Sequence, residues 1–218
     1  MQKKIELFNA KNDNQIDMQY LIYLPSNYDK DEGSYPLVLF LHGVGECGSD
    51  ISIIERHGIP KIIEEGRAFP FIAIAPQCNE GGWWADPPYI ESLLSLVHNV
   101  IYEYSIERSR VYGTGLSMGG FGTFALAIQE PKLFAAIVPV CGGAEIDKLD
   151  QIQHLPIWIF HGDKDSTIPV ENSLLIYKKL KPINDQIFLT IYEGVDHDSW
   201  TETYENEAVY EWFLKYKN

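Results

Sequence analysis

Cationic side chains are scarce in this chain of 218 residues: 17 Lys and Arg stand against 31 Asp and Glu, a net charge of −14. A field of that sign repels nucleic acid and anionic membrane, so neither is expected as a partner. The acidic residues are scattered rather than gathered into a tail, which fits a solvated surface. Cysteine is rarer. Cys47, Cys78 and Cys141 are odd in number, widely spaced and without a Cys-x-x-Cys pattern, which argues against a disulfide framework and the common zinc sites. Cys47 and Cys78 each follow an apolar run and could meet, but free thiols are the expectation. No apolar run is long enough to span a bilayer. The opening Met1-Gln2-Lys3-Lys4-Ile5-Glu6 has two lysines with no apolar segment behind them. That pattern predicts a cytoplasmic chain, secreted only if a leader once preceded these residues.

What is present is ordinary for a globular protein: 45% hydrophobic and 22% charged residues. Length, with no repeat, low-complexity tract or linker, predicts one domain over 1–218. Residues 4–8 and 16–24 read as an opening pair of strands, and 27–34 as a polar loop. Pro36–Leu41 and Phe71–Ala75 are unbroken apolar runs, as expected of strands covered on both faces. A short helix is expected near 60–65. Ile90, Leu93, Leu94, Val97, Val100, Ile101 and Tyr104 recur at helical spacing. Further apolar strands are predicted at 134–140, 157–160 and 187–192. Pro169 suits the first position of a helix running to about Leu180, and Tyr204, Ala208, Trp212 and Tyr216 form a stripe on a closing helix. Strands alternating with helices predict a mainly parallel α/β sheet with helices on both faces.

The chain is organised around Gly113-Thr114-Gly115-Leu116-Ser117-Met118-Gly119-Gly120, between the apolar Arg110–Tyr112 and a helical stretch from Phe121 to Gln129. Residues 115–119 read Gly-x-Ser-x-Gly. This pattern lets a strand turn sharply into a helix and leaves a serine exposed at the corner. A serine hydroxyl needs a base to take its proton, and the base needs an orienting carboxylate. Of six histidines, His98 falls inside a helical pattern, and His57 and His154 lie in links away from strand ends. His42 and His161 open His-Gly pairs at strand ends, too close to a sheet to swing over a serine. His197 remains, in the loop after the last strand. The loop after Phe160 offers Asp163 and Asp165 as the acid; Asp165 lies further out and has the reach, while Asp163 suits a bracing role. Ser117, Asp165 and His197 are therefore the candidate catalytic residues. An oxyanion hole needs two N–H groups, for which Met118 and Val44 are the candidates, Gly43 and Gly45 permitting the turn.

Leu41-His42-Gly43-Val44-Gly45, the Gly115–Gly119 elbow, His161-Gly162-Asp163-Lys164-Asp165 with Ile168-Pro169, and His197-Asp198-Ser199-Trp200 resemble the compact esterases of the α/β-hydrolase superfamily. Ala75-Pro76-Gln77-Cys78 adds to the likeness, which runs from about Tyr20 to Trp212. It is strongest to the "predicted peptidase"/phospholipase–carboxylesterase group, with its feruloyl-esterase-like and dienelactone-hydrolase-like members. The resemblance implies an α/β-hydrolase fold without a large cap domain, and the same nucleophile, base and acid. Dienelactone hydrolases proper carry cysteine where this chain has Ser117, so that chemistry is not expected.

The expected activity is serine carboxylesterase action on a small ester, short-chain or aryl, with feruloyl and acetyl-sugar esters among the possibilities. Peptidase or thioesterase action on the same fold is the alternative. Trp83, Trp84 and Trp200 are the candidate aromatic walls, since their loops follow strand ends that face the site. A metal hydrolase built on His161, Asp163, Asp165, Asp196 and His197 lacks any recognised ligand spacing, so neither metal nor cofactor is expected. A non-catalytic binding module on this scaffold would ordinarily have lost a member of the triad. The link Cys141–Pro156 is short and polar, which predicts an open, shallow site. Oligomeric state is not legible.

Overall fold

The computed structural model describes residues 1–30 and 33–218; the loop expected over 27–34 lies partly outside these residues. Strands β1 (Gln2–Phe8), β2 (Met18–Leu24), β3 (Tyr35–Leu41), β4 (Ile72–Pro76), β5 (Ile106–Leu116), β6 (Ala136–Val140), β7 (Ile157–Gly162) and β8 (Ile187–Tyr192) form one sheet in the order β1-β2-β4-β3-β5-β6-β7-β8. Pairing is antiparallel from β1 to β2 and from β2 to β4, and parallel from β4 onward. Helices α1 (Gly58–Glu64), α2 (Pro87–Glu103), α3 (Met118–Gln129), α4 (Glu171–Leu180), α5 (Trp200–Glu205) and α6 (Glu207–Phe213) cover it.

The apolar run of β3 explains the layering. Its side chains alternate, so Leu37, Leu39 and Leu41 pack with Leu93, Leu96 and Val97 of α2 and Phe124 of α3. Val38 and Phe40 turn to the other face, against Ile59 and Ile62 of α1 and Phe213 of α6. A strand apolar at every position is what a sheet buried on both faces requires.

Four boundaries differ from the sequence expectations. The elbow strand is much longer than Arg110–Tyr112, because β5 pairs with β3 and β6 out to Leu116. Helix α1 begins at Gly58 rather than near 60, and Pro60 lies in its first turn, where a missing N–H costs nothing. Helix α4 begins at Glu171 rather than at Pro169. The closing stripe is divided between two helices: the Asn206 side chain accepts from Ala208 N at 3.0 Å and starts α6 afresh. Tyr204 and Trp212 are buried as expected, but Ala208 is exposed. All three cysteines carry free thiols, and those of Cys47 and Cys78 are neighbours. Among the described residues no helix is long and apolar enough to cross a membrane.

Candidate active site

Strand β5 runs straight into α3 through Ser117, whose backbone sits at φ 52°, ψ −116°. A non-glycine residue there is strained, and strain of this kind is held only where surrounding structure over-determines it. Ser117 N donates to Val140 O at 2.9 Å, while Gly120 N and Phe121 N donate back to Ser117 O at 2.9 and 3.3 Å. The flanking glycines are needed for clearance. A Cβ on Gly119 would stand 2.0 Å from Leu41 O, and one on Gly115 would stand 2.4 Å from Gly119 O. The next strand ends the same way: Cys141 follows β6 at φ 40°, fully buried.

The three residues expected to act together meet at this corner. His197 Nδ1 lies 2.7 Å from Asp165 Oδ2. A carboxylate only accepts, so the proton is on Nδ1, and Nε2 is left to accept from Ser117 Oγ–H at 2.9 Å. Asp165 follows β7, and its Oδ1 accepts from Thr167 N at 2.9 Å and Ile168 N at 2.8 Å. These bonds orient the carboxylate before the histidine arrives. Asp196 joins the two loops: its Oδ1 accepts from Ser166 N at 2.7 Å and from His197 N at 2.8 Å. The Ser166 amide, more than His197, holds this carboxyl below the usual carboxylate range. Asp163 braces the same junction by accepting from Gly194 N at 2.6 Å.

Met118 is the first residue of α3 and Val44 the first of a 3-10 turn, Val44–Glu46. Amides at those positions have no acceptor within their own helices. Gly43 N is taken by Glu46 Oε2 at 3.0 Å, which removes it as an oxyanion donor and leaves the Val44 and Gly45 amides as the candidates in that turn. Glu46 was not singled out from sequence, nor was Gln77, whose Nε2 donates to Glu46 O at 3.1 Å and Asp50 O at 2.8 Å and pins the loop from beneath. Burial raises the Glu46 carboxyl above its ordinary value, with His57 opposing.

The tryptophans separate. Trp84 is fully buried, its indole N–H donating to His42 O at 3.0 Å, so it supports the Val44 turn from within the core and cannot wall a substrate. Trp83 is half-buried and packs 5.5 Å from Phe121, one turn along α3 from Ser117. Trp200 is half-buried and stands edge-on to His197 at 5.3 Å and to His57 at 5.6 Å. Phe121 was missed because its period fits a core helix. A cavity of 680 Å³ between α2 and α3 is lined by Ala85, Ile90, Leu94 and Ala125, among others, and holds none of the three candidate catalytic residues.

A family model described as phospholipase/carboxylesterase matches residues 88–213. The chain belongs to this family. Ester hydrolases are among the curated proteins and solved structures that it resembles. Poly(3-hydroxyalkanoate) depolymerase C of Paucimonas lemoignei is 31% identical over 140 residues, covering 58% of this chain and 32% of that protein. A probable feruloyl esterase C of Aspergillus terreus is 26% identical over 169 residues, covering 74% of this chain and 60% of that one. The chain thus spans between about a third and three-fifths of the length of these relatives. The crystal structure of a thermostable esterase superposes with a TM-score of 0.84 at 32% identity, over 98% of this chain and 63% of that one.

Proposed function

We propose that this phospholipase/carboxylesterase-family chain is a serine carboxylesterase acting on small, short-chain or aryl esters through Ser117, His197 and Asp165. The observation that carries the reading is the unbroken hydrogen-bond chain, 2.9 Å from Ser117 to His197 and 2.7 Å from His197 to Asp165, at a strained strand-to-helix corner. As Ser117 Oγ bonds to the ester carbonyl carbon, its proton passes to His197 Nε2. Asp165 stabilises the imidazolium that results. The carbonyl oxygen gathers negative charge and is met by the Met118 and Val44 amides, with the N-terminal end of α3 adding its dipole. The alcohol then leaves with the proton from His197. Water, deprotonated by the same nitrogen, releases the acid in a second passage through the same geometry.

The named activities of the relatives support an ester substrate, with a feruloyl ester or a hydroxyalkanoate ester as candidates. Trp83 with Phe121, and Trp200 beside His197, supply aromatic surface suited to a flat acyl group. The test is turnover of an acyl-chain ladder, methyl ferulate and an acetylated sugar by the wild type and Ser117→Ala, together with labelling by a fluorophosphonate. The alanine variant should fold normally, lose the label and lose roughly 10³-fold or more in kcat. Wild-type turnover by Ser117→Ala would refute the assignment.

A further inference from the structure

His161, the penultimate residue of β7, is fully buried, and both its ring nitrogens have partners. Ile168 O, 2.8 Å from Nε2, can only accept, so Nε2 carries a proton. Nδ1 then accepts from Ser173 Oγ–H at 2.7 Å, and Ser173, in the first turn of α4, is itself buried. The same Nε2–H lies 3.1 Å from Asp165 Oδ2, the oxygen that receives His197 Nδ1–H at 2.7 Å. One carboxylate oxygen is therefore approached by two imidazoles: it accepts a hydrogen bond from His197, and the edge of the His161 ring lies against it. Hydrogen bonds join Ser173 to His161, and Asp165 through His197 to Ser117, with the His161–Asp165 contact between the two sets.

We propose that His161, with its tautomer held by Ser173, is a positioning residue that sets how strongly Asp165 attracts the protonated form of His197. The inference rests on the reading of Ser117, His197 and Asp165 as a triad. Asp165 does not need His161 to stay in place, because Thr167 N and Ile168 N hold its Oδ1. What His161 supplies is the polarised Nε2–H edge of its ring, 3.1 Å from the reacting oxygen, whose partial positive charge offsets part of the carboxylate charge. Without it Oδ2 draws the imidazolium more strongly, so His197 keeps its proton to higher pH and is a poorer base at a given pH.

The other titratable groups facing this pair are accounted for. Cys141, from the end of β6, brings its sulfur within 4.8 Å of His197 and Asp165, but burial pushes its thiol up to about 12, so it stays uncharged. Asp196 and Asp198, on the loop that carries His197, are engaged by Ser166 and by Thr201. Asp163 is held by Gly194 N and Lys164. Of these groups, His161 alone makes a contact with Oδ2.

The test is the titration of the imidazoles by NMR on histidine-labelled protein, which needs no substrate. In the wild type, the His161 Nε2–H resonance should shift with the same midpoint as the His197 ring, because both rings lie against Oδ2. In His161→Leu the His197 midpoint should rise by about 0.5–1 pH unit. The acid limb of fluorophosphonate labelling at Ser117 should rise with it. His161→Gln, which keeps an N–H near the position of Nε2, should return both toward wild type. A His161 signal indifferent to the His197 titration overturns the proposal, as does an unmoved midpoint in a folded His161→Leu or a glutamine variant that behaves as leucine does. If His161→Leu does not fold, the wild-type coupling decides alone. Failure of the wild type to label at Ser117 would count against the esterase reading instead, and would leave the coupling to be read from the spectra.

Discussion

Strands β3 and β7 both end in His-Gly, and the two exits do different work. His42 and His161 are equally buried, at 1% and 0% exposure. His42 Nδ1–H donates to Gly43 O at 2.6 Å and its Nε2 accepts from Cys78 N at 2.9 Å. Both partners are backbone, and burial pushes the imidazole down to about 4. It is a neutral bracket that ties the Val44 turn to the segment after β4. His161 carries its proton on the opposite nitrogen and faces a carboxylate of the site. Gly162 has a second role, since a Cβ there would stand 2.2 Å from Val195 O. Its absence lets the loop bearing His197 close over the end of β7. The same dipeptide is thus a fastening at one exit and places a ring against the Asp165 carboxylate at the other. The ring partners decide which, and no local pattern encodes them.

The widest separation between the exits is expected from Asp165→Asn. An amide at this position no longer stabilises the imidazolium and can hold His197 in the wrong tautomer, so kcat should drop roughly 10³- to 10⁴-fold with the fold intact. Asp163→Asn, two residues away, should change melting temperature more than kcat, because its contact is to the Gly194 amide. Steady-state kinetics and thermal melts on the pair decide it. If Asp163→Asn proves the more damaging to turnover, the roles of the two acids are reversed.

That pair also marks how far the sequence could be read. Gly-x-Ser-x-Gly was legible because backbone contact at 2.0–2.4 Å leaves no alternative to glycine at 115 and 119. Asp165 and His197 were legible from chain order, each beyond the end of a strand. His161 was set aside for lying too close to the sheet to reach the serine. That criterion rightly excluded it as the base on Ser117 but said nothing of its 3.1 Å approach to Asp165, which only the fold reveals. Trp84 was misread because two adjacent tryptophans on one loop alternate in direction, and only the fold says which turns inward. The break at Asn206 was hidden by a stripe whose spacing suits one helix as well as two. Phe121 and Glu46 carry no signal beyond ordinary helix and loop composition.

The β3 exit should reveal itself through stability rather than rate. His42 is neutral in the folded protein down to about 4, while in the unfolded chain it takes up a proton below 6.5. Between those values the unfolded state binds more protons. Stability attributable to His42 is therefore complete above pH 6.5 and is lost as pH falls toward 4, by about 3 kcal/mol in all. Chemical denaturation of the wild type and His42→Gln across that window should give curves that differ in slope on the acid side and run parallel above it. Parallel curves throughout would mean that the ring is protonated or exposed in the native state.

A smaller contrast separates the two tryptophans. Trp84→Phe leaves His42 O without its donor in the core and should cost about 1–2 kcal/mol of stability with kcat/KM unchanged. Trp83→Ala should leave stability nearly as it was and lower kcat/KM for methyl ferulate more than for ethyl acetate, by a few-fold, because the ring paired with Phe121 is lost. Equal effects of Trp83→Ala on both esters would remove Trp83 from the acyl wall.

The smallest effects, taken one methylene at a time, concern what lies between the exits. Many lipases cover this face with a cap inserted after the strand that follows the elbow helix. Here the corresponding link, 141–156, makes only a 3-10 turn over Ile146–Ile152. That turn directs Leu149 and Ile152 into the core with Leu155 behind them. The remainder, with Glu145, Asp147, Lys148, Asp150, Gln151 and Gln153, is polar, so the link has little apolar surface left to line an acyl tunnel. Only the first methylenes of a chain can then leave water at the site, each worth about 0.8 kcal/mol, or roughly fourfold in kcat/KM. Selectivity on a p-nitrophenyl ester ladder should climb over about two to four acyl carbons and then level off or fall, because further methylenes bury no additional surface. No jump in rate is expected when the substrate passes its solubility limit, since there is no cap for an oil surface to displace. A fourfold gain per methylene sustained to ten carbons, or a rate surge on emulsified triglyceride, would mean that a deep apolar channel serves the site despite the short polar link.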